Sequence, residues 1–141
     1  MRVMLATDGS AASLNAVDRW IEAARLFAEP VELVLVTVHP AVPLAFATRH
    51  IEEETLEHYY SDEGQAALEP AAEKLRGAGL AFQSHVLIGP PAETLVSYAA
   101  DGGFDWIWLG ARGHSLVERL LVGSVASRVV QTAHCPVMVA R

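Results

Sequence analysis

Two short stretches of this sequence carry residue types that suit an anion. Gly110-Ala111-Arg112-Gly113 sets two glycines three apart with a guanidinium between them, and nine residues further on come Gly123 and Ser124. Glycine permits positive φ and lacks a Cβ, so backbone N–H groups can approach a ligand closely. Ser124 has the side chain of a helix N-cap, and a helix start presents unpaired N–H groups with a partial positive charge. A loop nest beside a helix start suits a polyphosphate, and Arg112 adds a charged clamp. A purely structural role also fits these glycines, because glycine punctuates loops in all kinds of proteins.

Other chemistries are poorly provided for. Nine of the ten basic residues are arginine, and Lys74 is the single lysine. A P-loop requires lysine in Gly-x-x-x-x-Gly-Lys-[Ser/Thr], and none stands there. Lys74 lies in a polar helical stretch, a poor setting for Schiff-base chemistry. His39, His50, His58 and His85 are scattered over different elements, without the ligand spacing of a metal site. His114 sits inside the glycine segment and reads either as a catalytic group or as a solvent-facing loop residue. Asp8 follows the first apolar run and reads as a ligand-facing acid or as the cap of the next helix. Cys135 is the single cysteine, so an intrachain disulfide and a thiolate zinc site are both excluded. Beside Pro136 it reads as a small buried residue.

The bulk numbers set the frame. With 141 residues the chain is expected to be one domain, 1–141, large enough to fold on its own core. It is 52% hydrophobic and carries 17 acidic against 10 basic residues, a net charge of −7. Such a charge repels a nucleic-acid backbone, so no nucleic-acid partner is expected. No apolar run approaches the roughly 20 residues of a membrane helix. The N-terminus reaches Asp8 and Gly9 too early for a secretory signal. The expectation is a cytoplasmic protein without a membrane partner.

Strands and helices alternate along the chain. Val3 to Thr7 is a buried strand ending in the turn Asp8-Gly9-Ser10, and from Ala11 a stripe at Leu14, Val17, Ile21 and Ala24 has helical spacing. Val31 to Val38 is a second strand, followed by a proline-containing loop over 40–50. Ile51 to Gly77 reads as a helix with a kink at Pro70 or a break near Gly64, since an interior proline costs about 3 kcal/mol. Leu80 to Ile88 is a third strand, Ala92 to Ala100 a helix, Asp105 to Leu109 a fourth strand. A last helix follows Ser124, and Val137 to Ala140 is the fifth strand. This alternation predicts a parallel, doubly wound α/β sheet with helices on both faces. Ligand is then expected at the carboxyl ends of the strands, near Thr7-Asp8-Gly9-Ser10, Val38-His39, Gly89 and Gly110 onward.

Across nearly its whole length the chain resembles the universal stress protein family. Val3-Met4-Leu5-Ala6-Thr7-Asp8-Gly9-Ser10 is similar to that family's first strand and acidic turn, and Gly89-Pro90-Pro91-Ala92-Glu93 to its third strand–helix junction. Asp105-Trp106-Ile107-Trp108-Leu109-Gly110 resembles its fourth strand, and His134-Cys135-Pro136-Val137-Met138-Val139 its terminal strand. Gly110-x2-Gly113-x9-Gly123-Ser124 resembles the signature of the ATP-binding branch. The resemblance implies a flavodoxin-like (Rossmann-like) sheet of order 3-2-1-4-5 and a homodimer, here assigned to the C-terminal strand 136–141, which that order leaves as an unpaired edge. It implies ATP as ligand, with Mg²⁺ as a further candidate. Asp8, with Ala6 and Thr7, would meet the nucleoside, and Val38 the adenine through its backbone. Gly110, Gly113, Gly123 and Ser124 would hold the phosphates, with Arg112, His114 and Val125 as neighbours. A regulatory ATP-binding module is the expected function. A slow Mg²⁺-dependent ATP hydrolase and a dimeric interaction protein with a vestigial pocket are the alternatives, and an FMN carrier is a fold-level analogy only.

Overall fold

Val3, Met4 and Leu5 are each no more than 1% exposed, as befits a strand covered on both faces. The computed structural model describes residues 1–43, 52–113 and 122–141. Its elements are β1 (Arg2–Ala6), α1 (Ala11–Ala24), β2 (Glu32–His39), α2 (Glu53–Gly77), β3 (Gln83–Ile88), α3 (Pro91–Asp101), β4 (Trp106–Gly110), α4 (Ser124–Thr132) and β5 (Val137–Ala140). The strands form one parallel sheet of order β3-β2-β1-β4-β5, the order that the family resemblance implies. Strand order reverses between β1 and β4, so the crevice of a doubly wound sheet opens there.

Alternation along the strands divides the core in two. Val3, Leu5, Leu33, Leu35 and Trp108 pack with Ala16, Val17 and Trp20 of α1 and with Leu68, Ala71, Ala72 and Leu75 of α2. Met4, Ala6, Val34, Val36, Ile107 and Leu109 pack with Ala92, Leu95 and Ala99 of α3 and with Ala126 and Val129 of α4. The helices therefore cover both faces in pairs. The Trp108 indole N–H donates to Ala16 O at 2.9 Å, and its ring meets Trp20 edge-on at 5.3 Å. Lys74 donates to both carboxylate oxygens of Asp18, at 2.8 and 3.0 Å, tying α2 to α1. Its ammonium is therefore an ion-pair partner on the outer surface. None of the helices is long and apolar enough to cross a membrane, among the described residues.

Most boundaries fall within two residues of those expected of the sequence. Three features differ more: the start of the third strand, the end of α1, which the sequence pattern carries to Glu29-Pro30, and the course of α2. The third strand starts at Gln83 rather than Leu80 because residues 78–80 still belong to the end of α2. Ala78 N donates to Lys74 O, Gly79 N to Arg76 O and Leu80 N to Leu75 O, with Gly79 at φ +72°, a left-handed helix end. α1 stops at Ala24, and Phe27 reaches the core from the following turn. α2 runs unbroken from Glu53 to Gly77 with Pro70 inside it, so no break forms near Gly64. Gly64 is there for another reason. A Cβ at this position would overlap both methyl groups of Val86, so the helix lies directly on β3.

That approach can be tested. Gly64→Ala should destabilise the fold by about 1–3 kcal/mol in urea denaturation, as overpacking does, despite a helix-propensity gain of about 1 kcal/mol. Adding Val86→Ala should recover part of the loss, and a neutral or stabilising Gly64→Ala would contradict the packing.

Candidate functional site

Register brings the strand ends level. Ala6 of β1 pairs with Val36 of β2 and with Leu109 of β4. Thr7 and Asp8 therefore emerge between Thr37-Val38 on one side and Gly110 on the other. A cleft of about 670 Å³ opens at this level, within the usual size of small-molecule sites. Ala6, Thr7, Asp8, Val38, Gly110, Arg112, Gly113, Gly123, Ser124 and Val125 all line it. His114, also singled out in the sequence, falls outside the described residues, as do His50 and residues 44–50 of the loop expected over 40–50. Gly89, a strand-end candidate, is not among the lining residues; its φ of +146° serves the β3–α3 turn.

The turn after β1 is held by its own polar groups. Ser13, on the first turn of α1, is 3% exposed. Its hydroxyl donates to Ser10 O at 3.0 Å, receives the Asp8 N–H at 3.4 Å and lies 2.9 Å from the Thr7 hydroxyl. Because the Ser13 proton goes to Ser10 O, Thr7 is the donor of that pair. Gly9 N donates to Thr7 Oγ1 at 3.2 Å and Ser10 N to Asp8 Oδ1 at 2.9 Å, while Thr7 N donates to Val36 O at 2.9 Å. Every N–H from Thr7 to Ser10 is thus engaged within the protein. Ser10 caps α1, its Oγ accepting from Ser13 N at 3.2 Å. The capping alternative for Asp8 is therefore replaced: its carboxylate braces the turn, and its other oxygen occupies the place a Cβ on Gly113 would take.

The β4 side works by close backbone approach. None of Gly110, Gly113 and Gly123 has positive φ, which among the described glycines is found at Gly9, Gly79, Gly89 and Gly103. What they supply is the missing Cβ. At Gly110 it would stand 3.1 Å from Ala12 O, Arg112 O and Ser13 Cα, and at Gly123 3.3 Å from Ala111 O. Gly123 N donates to Ala111 O at 2.6 Å, and Ala111 N to Ala140 O at 2.7 Å.

This geometry corrects the capping assignment of Ser124. The N-cap is Gly123, with φ −71° and ψ 167°, and Ser124 is the first helical residue. A serine in that position cannot cap, and among the described residues no side chain caps α4. Its first intrahelical bond runs from Ser127 N to Gly123 O at 2.9 Å. The N–H groups of Ser124, Val125 and Ala126 lie ahead of it, at the positive end of the helix dipole. Arg112 is exposed beside them.

The opposite wall leaves little trace in the sequence. Glu63, Gly64, Ala66 and Ala67 of α2 line the cleft, with Pro91 and Leu95 of α3 and His39 and Pro40 after β2. Gly9, at φ +78°, comes within a Cβ distance of 3.1 Å from Ala67 O, so the β1 turn and α2 meet there. Small residues were the signal available in Gly64, Ala66 and Ala67. His39, His58 and His85 lie on separate elements, and no group of three or more His, Cys, Asp or Glu side chains is set to hold a metal ion among the described residues.

Fold and cleft together define a Rossmann-like, doubly wound α/β protein with its opening at the strand-order switch. The universal stress protein family model matches residues 1–141, and the chain belongs to that family. It is 35% identical over 141 residues to a universal stress protein of Methanocaldococcus jannaschii, covering 99% of this chain and 81% of the relative. A universal stress protein of Bacillus subtilis is 27% identical over 146 residues, covering 99% and 98%. A solved universal stress protein in complex with cAMP matches with TM-score 0.73 at 25% identity, covering 100% of this chain and 97% of that one. One from Lactobacillus plantarum shares the fold with TM-score 0.79 at 22% identity, covering 100% and 97%.

Cys135 lies at the α4–β5 junction, away from the cleft lining. Burial pushes its thiol above the ordinary cysteine range, and the Asp105 carboxylate adds to the rise. A raised value means less thiolate at neutral pH. The pH midpoint for iodoacetamide alkylation should therefore lie higher in the native chain than in the urea-unfolded chain; coincident midpoints would contradict this.

Proposed function

We propose that the cleft binds ATP and that the protein is a cytoplasmic regulatory module whose conformation or partner choice depends on nucleotide occupancy. The observation that carries this reading is the uncapped start of α4. Three N–H groups precede its first internal bond, in a cleft bounded by close-packed glycines. Such a helix start takes phosphate readily. The engaged turn after β1 has no N–H left to offer an anion. Phosphates therefore belong at Ser124, Val125 and Arg112, and the nucleoside extends past Asp8 toward Val38. The Gly110-x2-Gly113-x9-Gly123-Ser124 pattern, which resembles that of the ATP-binding branch, and the cAMP complex of a family member both support a nucleotide here.

Mg²⁺ would travel with the phosphates. Asp8 and Ser124 are the oxygen-bearing side chains nearest to that role, one carboxylate and one hydroxyl, which suits an ion held mainly by the nucleotide. In the proposed site the chain's own groups bind and orient. Asp8 already braces the turn through Ser10 N, so binding rather than turnover is favoured.

Calorimetry with ATP tests the site. Gly113→Val would drive a side chain into the Asp8 carboxylate, and Gly123→Val into Ala111 O. Each should weaken ATP binding at least about 100-fold, the equivalent of roughly 3 kcal/mol, with the far-ultraviolet circular dichroism unchanged. Unaltered affinity in both variants would remove the proposed site.

We also assign a homodimer to strand 136–141. β5 is an edge of the sheet, and Met138 on it and Val130 on the neighbouring α4 are 38% and 53% exposed. An apolar edge is covered by pairing with a second copy. Sedimentation should show a dimer at micromolar concentration and a shift toward monomer in Met138→Lys. A wild-type monomer would exclude the assignment.

A further inference from the structure

The cleft is chemically lopsided. Its α4 end offers backbone N–H groups, whereas its β2–α2 end is formed largely by Val36, Val38, Gly64, Ala66 and Ala67. A nucleotide with its phosphates at α4 presents its base to this apolar end, and any selectivity for the base rests on that ATP-site reading. Three side chains there carry polar groups within reach of a base edge, Thr37, His39 and Glu63. Thr37 is buried, and its rotatable hydroxyl both donates and accepts, so it does not tell an amine from a carbonyl. Glu63 is exposed, so its carboxylate stays hydrated and discriminates little. His39 is half-buried at the end of β2.

Its ring is fixed in place and in tautomer. His39 Nδ1 stands 2.7 Å from Pro40 O. A carbonyl only accepts, so Nδ1 carries the proton and donates. A neutral imidazole has one N–H, which leaves Nε2 as the acceptor of the ring. The ring meets Tyr60 edge-on at 5.1 Å and 64°, and Tyr59 at 5.7 Å and 78°. Tyr60 is itself buried, and its hydroxyl accepts the Val42 N–H at 2.6 Å. An aromatic seat and a backbone carbonyl thus hold one acceptor nitrogen at the base end of the cleft.

The geometry points to His39 as a base-selecting residue, whose Nε2 accepts a hydrogen bond from the exocyclic amine of a 6-aminopurine. A 6-oxopurine sets an acceptor against that nitrogen, and a site built around one hydrogen-bond partner rejects the analogue that lacks it. ATP should therefore bind about tenfold more tightly than inosine triphosphate, the worth of roughly one hydrogen bond.

Calorimetric titration of the full chain with ATP and with inosine triphosphate tests this, using two substitutions that divide the imidazole. His39→Asn places an amide N–H where Nδ1 was and has nothing at the Nε2 position. His39→Gln carries an oxygen to about the Nε2 position. The ATP preference should shrink at least about fivefold in His39→Asn, over and above what the Val38 backbone contributes, and persist in His39→Gln, with melting temperatures confirming that both variants are folded. A wild-type chain that binds both nucleotides equally overturns the inference, as does an ATP preference undiminished in His39→Asn. A wild-type chain that binds neither nucleotide removes the ATP-site reading itself.

Discussion

Gly110 lets two backbones touch where a side chain has no room. A Cβ there would stand 3.1 Å from the carbonyl oxygens of Ala12 and Arg112 and from Ser13 Cα, so these backbones would have to move apart to admit it. The end of β4 consequently lies against the first turn of α1, and much of the cleft depends on that approach. On the α1 side, Ser13 is held within reach of Thr7 and Asp8, and its hydroxyl organises the turn after β1. On the other side the chain proceeds directly to Ala111, which donates to Ala140 O and accepts from Gly123 N. The second of these bonds places the start of α4. One absent methyl group thus brings the acidic turn, the glycine loop and a helix start to a single opening.

A chain with net charge −7 is an unexpected host for an anion. Net charge, however, acts over distances that salt screens within about 8 Å, whereas N–H groups act at contact. The donors at Ser124, Val125 and Ala126 belong to the backbone, so they add a local positive end without altering the charge count. Arg112 contributes the only formal positive charge among the described cleft-lining residues. On the proposed reading, this division lets an acidic protein repel a polyanion as a whole while a small phosphate sits at one helix end. It also explains why the single lysine is dispensable to the site: Lys74 is paired with Asp18 between α1 and α2.

The fold was legible in the sequence because its strands are covered on both faces and read as unbroken apolar runs, as in β1 and β2. Ends were less legible. Leu80 resembles the first residue of a strand, but its N–H completes the end of α2, and hydrogen bonding of that kind leaves no mark on hydropathy. The lining of the cleft was legible where its residues are chemically distinctive, at Asp8, Gly110, Gly113 and Gly123. The role of the three glycines was not: positive φ and close approach both call for glycine, and only the folded backbone tells them apart. Ser124 has the residue type of a cap, yet the bond from Ser127 N to Gly123 O starts the helix one residue earlier. The α2 wall was hidden for a plainer reason. Gly64, Ala66 and Ala67 carry no chemistry of their own and form a wall only because α2 lies close to β3 and to the β1 turn.

Pro70 shows how a local defect is accommodated by where its consequence falls. Proline in a helix interior removes the hydrogen bond to the carbonyl four residues back and costs about 3 kcal/mol. Here that carbonyl belongs to Ala66, which is exposed and lines the cleft. A proline at position 75 would instead deprive Ala71, which is fully buried, and an unsatisfied carbonyl there would add its desolvation cost to the lost bond. The turns on either side of Pro70 are held by Leu68, Ala71, Ala72 and Leu75 against the sheet. Packing on the inner face therefore keeps the helix continuous while the defect is turned outward.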